Sequence, residues 1–282
     1  EKALNSADYT REPPSLRHFS PPAARRRAPF ALPPARWYNR RTMTGNIIRG
    51  SERIVFPLDY SSADEALAAA AALRGKVGIF KIGLELFVSA GPAVVAAVRE
   101  ATGAGIFLDL KFHDIPNTVA GAVRSAAEVG VWMVNVHASG GRRMMEAAAQ
   151  ALQNRSRPPL LIAVTVLTSM SDEDLKELGY RETAAERVAR LAALTADCGL
   201  DGVVCSALEA PQLRREHRED FCLVTPGIRL AGDDAGDQRR VVTPADAVRK
   251  GADYLVIGRS ITAAPDPLAA LQQVHDELGT GL

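Results

Sequence analysis

A chain of 282 residues with 47% hydrophobic side chains can bury a sizeable core, and α/β barrels reach about 250 residues as one unit. Its net charge of +1 excludes bulk nucleic-acid binding, so any basic site must be local. No apolar run approaches the roughly 18 residues that cross a membrane, and Cys198, Cys205 and Cys222 lack metal-ligand spacing, reading as reduced thiols of a cytoplasmic protein.

Residues 1–50 include SPPAARRRAPFALPPARWYNRR, rich in Pro, Arg and Ala and without periodicity, which predicts a disordered extension. It reads as sequence upstream of a start at Met43 or, against the acids Glu1 and Asp8, as an Arg-rich transit segment. Residues 51–282 are then the folded domain.

From Arg53 onward, short β-branched runs alternate with Ala-rich helical stretches. Strands are predicted at 53–59, 77–83, 105–111, 131–137, 160–166, 201–206, 221–226 and 253–258. Ser62 with Glu65 and Thr183 with Glu186 have capping-box spacing, while Pro92, Pro116 and Pro244 suit first helical positions. Gly75, Gly103, Gly130, Gly199 and Gly251 are placed to stop helices before the next strand. Eight such units predict a single (β/α)8 barrel of the α/β class, whose active site forms at the carboxyl ends of the strands.

Those ends are polar: Asp59, Lys81, Asp109 with Lys111, His137, Thr165 followed by Thr168 and Ser169, Ser206, Thr225 before TPGIR's proline, and Arg259 after VIG. In the stretch DLKFHD, alternation along a strand puts Phe107, Asp109 and Lys111 on one face and Leu108 and Leu110 on the other. Asp114 lies past the strand, on the turn into a helix opened by Pro116. Burial disfavours a charged lysine and neighbouring carboxylates favour it, so a lysine bracketed by acids stays an ammonium and can donate a proton. Lys81 extends the set to two bases and two acids. A structural ion-pair network at the rim is the competing reading, and a Schiff-base lysine a further one.

TPGIR after the seventh strand and IGRS after the eighth fall where barrels bind phosphate, and the Gly- and Asp-rich run between them suits a closing loop. Arg259 supplies a planar two-pronged donor and Gly258 a close backbone approach. Asp59 caps the next helix or binds a sugar hydroxyl. His113 and His137 lack the spacing of a metal site, and the adjacent lysines would repel a cation, so no metal is expected; His137 reads as a hydrogen-bonded pocket or core histidine.

Together, LD at 58–59, FKIG at 80–83, DLKFHDIPNT at 109–118, VTVLTSM at 164–170, TPGIR at 225–229, GDQRR at 236–240 and VIGRS at 256–260 resemble the orotidine 5'-phosphate decarboxylase family. The resemblance implies cofactor-free conversion of orotidine 5'-monophosphate to UMP. Asp59 and Lys81 would hold the ribose hydroxyls, Asp109 would face the substrate carboxylate, and Lys111 would protonate C6. Asp114, Ile115 and Thr118 would reach into the partner's site of a homodimer. Thr168 and Ser169 would lie at the pyrimidine, with Arg229, Gln238, Gly258 and Arg259 around the phosphate. The alternative is a magnesium-dependent sugar-phosphate decarboxylase or aldolase of the same superfamily, which carries a metal-binding Glu where this chain has Lys81.

Overall fold

A computed structural model describes residues 50–231 and 242–279. The extension expected at 1–50 and the GDQRR segment with Gln238 lie outside the described residues, apart from Gly50, which opens the short helix Gly50–Arg53.

Eight strands run β1 (Ile54–Pro57), β2 (Ile79–Ile82), β3 (Gly105–Phe112), β4 (Met133–His137), β5 (Leu160–Val164), β6 (Gly202–Val204), β7 (Cys222–Thr225) and β8 (Tyr254–Val256). They pair in parallel and in chain order into a closed barrel. The ring closes where Ile54 and Val55 of β1 pair with Leu255 and Val256 of β8, and Arg53 Nη1 donates to the Ala252 and Asp253 carbonyls at 3.2 Å each. Helices between the strands cover the barrel's outside, as the alternation of β-branched and Ala-rich segments predicts.

Period-two alternation divides the core. Val55, Ile79, Phe107, Met133, Ile162, Val224 and Tyr254 point inward and form one cluster. Their sequence neighbours Phe56, Phe80, Leu108, Val134, Leu161, Leu223 and Leu255 point outward and join helix residues such as Val95, Val123 and Leu191 in the larger one. Most strands are shorter at their carboxyl ends than the sequence suggests, although single backbone hydrogen bonds to the neighbouring strand continue past several ends, as from Cys205 N–H to the Val224 carbonyl and from Ile257 N–H to the Val55 carbonyl, both at 3.1 Å. β1 ends at Pro57, and pairing resumes at once, with Leu58 N–H donating to the Lys81 carbonyl at 2.9 Å.

Local signals are honoured unevenly. Thr183 and Glu186 form the capping box, whereas Ser62 caps Ala63–Ala72 without a side-chain hydrogen bond. Ser171 and Asp174 form a second box that spacing alone did not single out. Pro116 and Pro244 open helices, but Pro92 is the residue before Ala93–Thr102. Gly103 and Gly130 end their helices with φ of 70° and 86°, the left-handed turn for which glycine is suited. Among the described residues no helix is long and apolar enough to cross a membrane, and all three cysteines are free and buried.

Candidate active site

The carboxyl ends of the strands surround a cavity of about 340 Å³, at the small end of the range for small-molecule sites. Nine of the predicted site residues line it: Asp59, Lys81, Asp109, Lys111, Thr168, Ser169, Arg229, Gly258 and Arg259. They come from β2, β3 and the segments after β1, β5, β7 and β8, so only barrel closure brings them together.

On one side the charges form an alternating chain. Lys81 Nζ lies 3.2 Å from Asp59 Oδ1 and 3.4 Å from Asp109 Oδ2, and Lys111 Nζ lies 2.8 Å from Asp109 Oδ1. Asp109 is buried and Asp59 largely exposed at the rim. Burial pushes the Asp109 carboxyl up, but the Lys81 and Lys111 ammonium groups, with hydrogen bonds from Lys111 and Asn135, outweigh it and hold the carboxyl below its usual range. Such a network contributes little net stability, because desolvation offsets most of the attraction. Its value is a fixed arrangement of charge.

The backbone beneath it is irregular. β3 and β4 pair at Leu108 with Val134 and next at Phe112 with Val136, so β3 spends extra residues in a bulge. Within the bulge Lys111 has φ of 51°, the one non-glycine residue with positive φ among those described, a conformation that costs about 1–2 kcal/mol. Phe107, Asp109 and Lys111 still share the mouth-facing side, as predicted, but Lys111 reaches it through this turn rather than by regular alternation.

Across the mouth, the turn after β8 carries Gly258 and Arg259 at the start of the helix Arg259–Thr262. A Cβ on Gly258 would stand 2.7 Å from Pro57 Cγ, so the close approach of β1 to this turn requires glycine. Arg229 is buried after β7, its Nη1 donating to the Ile228 carbonyl at 3.0 Å and its backbone N–H to the Val242 carbonyl at 3.1 Å. A cationic, glycine-lined wall thus faces the acid–base chain.

Other predicted groups fall elsewhere. Asp114, Ile115 and Thr118 are exposed and outside the cavity lining; Asp114 Oδ1 accepts from the Ile115 N–H at 2.6 Å. The hydroxyls of Thr165 and Thr225 donate to the Val204 and Tyr254 carbonyls at 2.9 and 3.2 Å, and Ser206 Oγ accepts from the Leu208 N–H, so these polar strand ends serve the backbone. His137 stacks on His113 with centroids 5.5 Å apart, and its Nδ1 is buried without a hydrogen-bond partner among the described residues. Among the described residues no three His, Cys, Asp or Glu side chains are grouped to hold a metal. Asn135, fully buried on β4, was missed: its Nδ2 donates to Asp109 Oδ1 at 2.7 Å and its Oδ1 accepts from the Lys111 N–H at 2.8 Å. The available signal was an amide in the inward register of the apolar run VWMVNVH.

Comparison with known proteins agrees with this geometry. Residues 52–274 match the model of the orotidine 5'-phosphate decarboxylase / HUMPS family. The orotidine 5'-phosphate decarboxylase of Hahella chejuensis is 56% identical over 229 residues, 81% of this chain and 98% of that protein. That of Chromobacterium violaceum is 58% identical over 234 residues, 83% and 94%. The crystal structure of orotidine 5'-phosphate decarboxylase from Lactobacillus acidophilus superposes with a TM-score of 0.69 at 38% identity, covering 80% of this chain and 99% of that one. Matched by the family model over most of its length, and more than half identical to relatives whose full length it nearly spans, the chain belongs to the orotidine 5'-phosphate decarboxylase / HUMPS family.

Proposed function

We propose that this protein decarboxylates orotidine 5'-monophosphate to UMP without a cofactor, its catalytic unit being the barrel from about residue 51. The observation that carries the reading is the chain Asp59–Lys81–Asp109–Lys111, whose Lys111 ammonium is held 2.8 Å from a buried carboxylate at the barrel mouth. In the proposed reaction the bond from C6 to the carboxylate breaks, carbon dioxide leaves, and the electron pair stays on C6. A proton from Lys111 Nζ forms the new C6–H bond, and solvent reprotonates the amine. No ring system absorbs the developing charge, so the fixed ammonium supplies the stabilisation electrostatically. Asp109 both orients that ammonium and faces the departing carboxylate.

The two walls suit the two ends of the substrate. Asp59 and Lys81 reach the ribose hydroxyls, Thr168 and Ser169 the pyrimidine, and Arg229, Gly258 and Arg259 the phosphate, with Gln238 assigned to the same end by sequence alone. Phosphate binding energy then offsets the cost of ordering and desolvation at the ring. The magnesium-dependent alternative is disfavoured because the Lys81 ammonium lies between Asp59 and Asp109, the carboxylates a divalent cation would need.

Asp114, Ile115 and Thr118 complete the site of a second copy in this reading. Supporting it, Asp114 is not among the residues that line its own cavity, and Ile115 (67% exposed), Val88 (80%) and Leu84 (56%) are large apolar side chains left exposed on the segments after β3 and its neighbour β2. Three free cysteines support a reducing, cytoplasmic setting.

The test is loss of orotidine 5'-monophosphate absorbance on adding the protein in excess EDTA. Turnover that survives the chelator and disappears in Lys111→Ala is expected. A folded wild type that leaves the substrate untouched would sink the proposal, and sugar phosphates with magnesium would be tried next.

A further inference from the structure

We propose that Asn135 is a positioning residue of this site, its side-chain amide locking the Asp109 carboxylate and the Lys111 backbone into one arrangement. The inference rests on the decarboxylase reading above for its kinetic consequence, and on geometry for the rest.

Between the paired positions Val134 and Val136, β4 contributes one residue, Asn135, while β3 contributes three, Asp109, Leu110 and Lys111. In a regular ladder the Lys111 N–H would meet a backbone carbonyl of the neighbouring strand. At the bulge that partner is out of reach, and Asn135 Oδ1 accepts the N–H instead at 2.8 Å. The other end of the same amide donates to Asp109 Oδ1 at 2.7 Å, the oxygen that also meets Lys111 Nζ at 2.8 Å. One planar group therefore ties the main chain of the proposed proton donor to the carboxylate that orients its side chain. The amide is fully buried, and both of its functions are used.

The chemistry of an amide matters here, not merely its volume. A carboxamide offers one acceptor and one donor edge, which the N–H and the carboxylate require in that order. Asn135→Asp keeps the acceptor but turns a second acceptor toward an anion, unless the new carboxyl carries a proton. The charged groups facing Asp109 are Lys81 from β2 and Lys111 from β3, with Asp59 beyond Lys81 and the His113–His137 pair close to Lys111. Two lysines and a shared proton therefore decide the state of the carboxyl pair in that variant.

The experiment compares Asn135→Ala and Asn135→Asp with wild type in kcat, UMP affinity and pH profile, each variant's fold checked by thermal melting. Expected is a fall in kcat of about 10- to 100-fold with UMP affinity within about threefold. The activity of Asn135→Asp relative to wild type should rise as pH falls from about 7 to about 5, as a proton restores the missing donor. The proposal is overturned if kcat stays within about twofold of wild type, or if kcat and UMP affinity fall together with a pH-independent ratio, the mark of general structural damage. Should the wild type fail to turn over orotidine 5'-monophosphate, the decarboxylase reading is what fails. The carbon-13 titration of the Asp109 carboxyl in Asn135→Asp then decides: a midpoint moved upward supports the positioning role, and an unmoved one overturns it.

Discussion

Lys111 and Asp109 stand two residues apart on one strand, and their charged groups meet at 2.8 Å within a bulge in which Lys111 itself is left-handed. The carboxylate so placed lies within ion-pair distance of both Lys81 Nζ and Lys111 Nζ at the centre of the mouth. Asp109→Asn keeps its shape and removes that charge, leaving two ammonium groups facing each other. Turnover should fall by at least about 100- to 1,000-fold, measured by steady-state decarboxylation. The same variant tests a pH effect. A carboxyl held below its unfolded value of 3.8 contributes stability above that pH, which is lost as pH falls through the folded value. Acid denaturation curves of Asp109→Asn should lack that component, and an unchanged curve would contradict the ion-pair geometry.

Asp114 supplies a test of the shared site. Lys111→Ala and Asp114→Ala should each be inactive alone. If Asp114 serves the partner's cavity, a mixed dimer holds one native site, and random reassortment of equal amounts restores about a quarter of wild-type activity. Mixtures that stay inactive after subunit exchange, verified by differential tags, would place Asp114 in its own subunit's chemistry.

The stacked histidines predict how stability responds to mild acid. Burial lowers the proton affinity of His137, and His113 and Lys111 lower it further. A histidine held below its unfolded value of 6.5 stays neutral in the folded protein while the unfolded chain takes up the proton. Stability present above that pH is therefore lost as pH falls through the folded value. His217 and His275, also lowered chiefly by burial, act in the same direction. The urea midpoint should fall between about pH 7 and pH 5, and His137→Gln should narrow the difference. An equal difference in the variant would remove His137 from the account.

Gly258 and Pro57 predict a coupled pair. An added methyl at 258 would meet the Pro57 ring at 2.7 Å, and a closed ring has no flexible end to yield. Gly258→Ala should displace the turn that presents Arg259 and raise KM about tenfold or more, consistent with the roughly 1–3 kcal/mol typical of overpacking. Pro57→Ala in the same chain should recover most of the loss. A double variant no better than Gly258→Ala would mean that the methyl clashes with substrate instead.

Much of this architecture was legible in the amino acids because barrel strands carry two superposed signals. Apolar runs such as GIFLDLK and LLIAVTV mark the strands, and a polar residue at their ends marks the mouth. Glycines at the ends of helices set the phase of the repeat. What escaped had a tertiary cause. Asn135 sits in an inward register that looks like any core position until the bulge opposite it is known. The φ of Lys111 depends on that same mismatch between β3 and β4, which alternation alone does not reveal. The polar ends Thr165, Ser206 and Thr225 looked equal to Asp59 and Lys81, but short hydroxyls reach nearby backbone before they reach a ligand.

The closure of the ring between β1 and β8 also sets an order of events during synthesis. Arg53 and the carbonyl of Ala252 that it grips are separated by 199 positions, so the first strand leaves the ribosome long before its last neighbour exists. At about 5–20 residues per second, β1 waits roughly 10 to 40 s with one edge unpaired. Closure of the sheet thus waits for the last strand, and a nascent chain stopped short of Tyr254 keeps an open, aggregation-prone sheet however well its first seven units have formed.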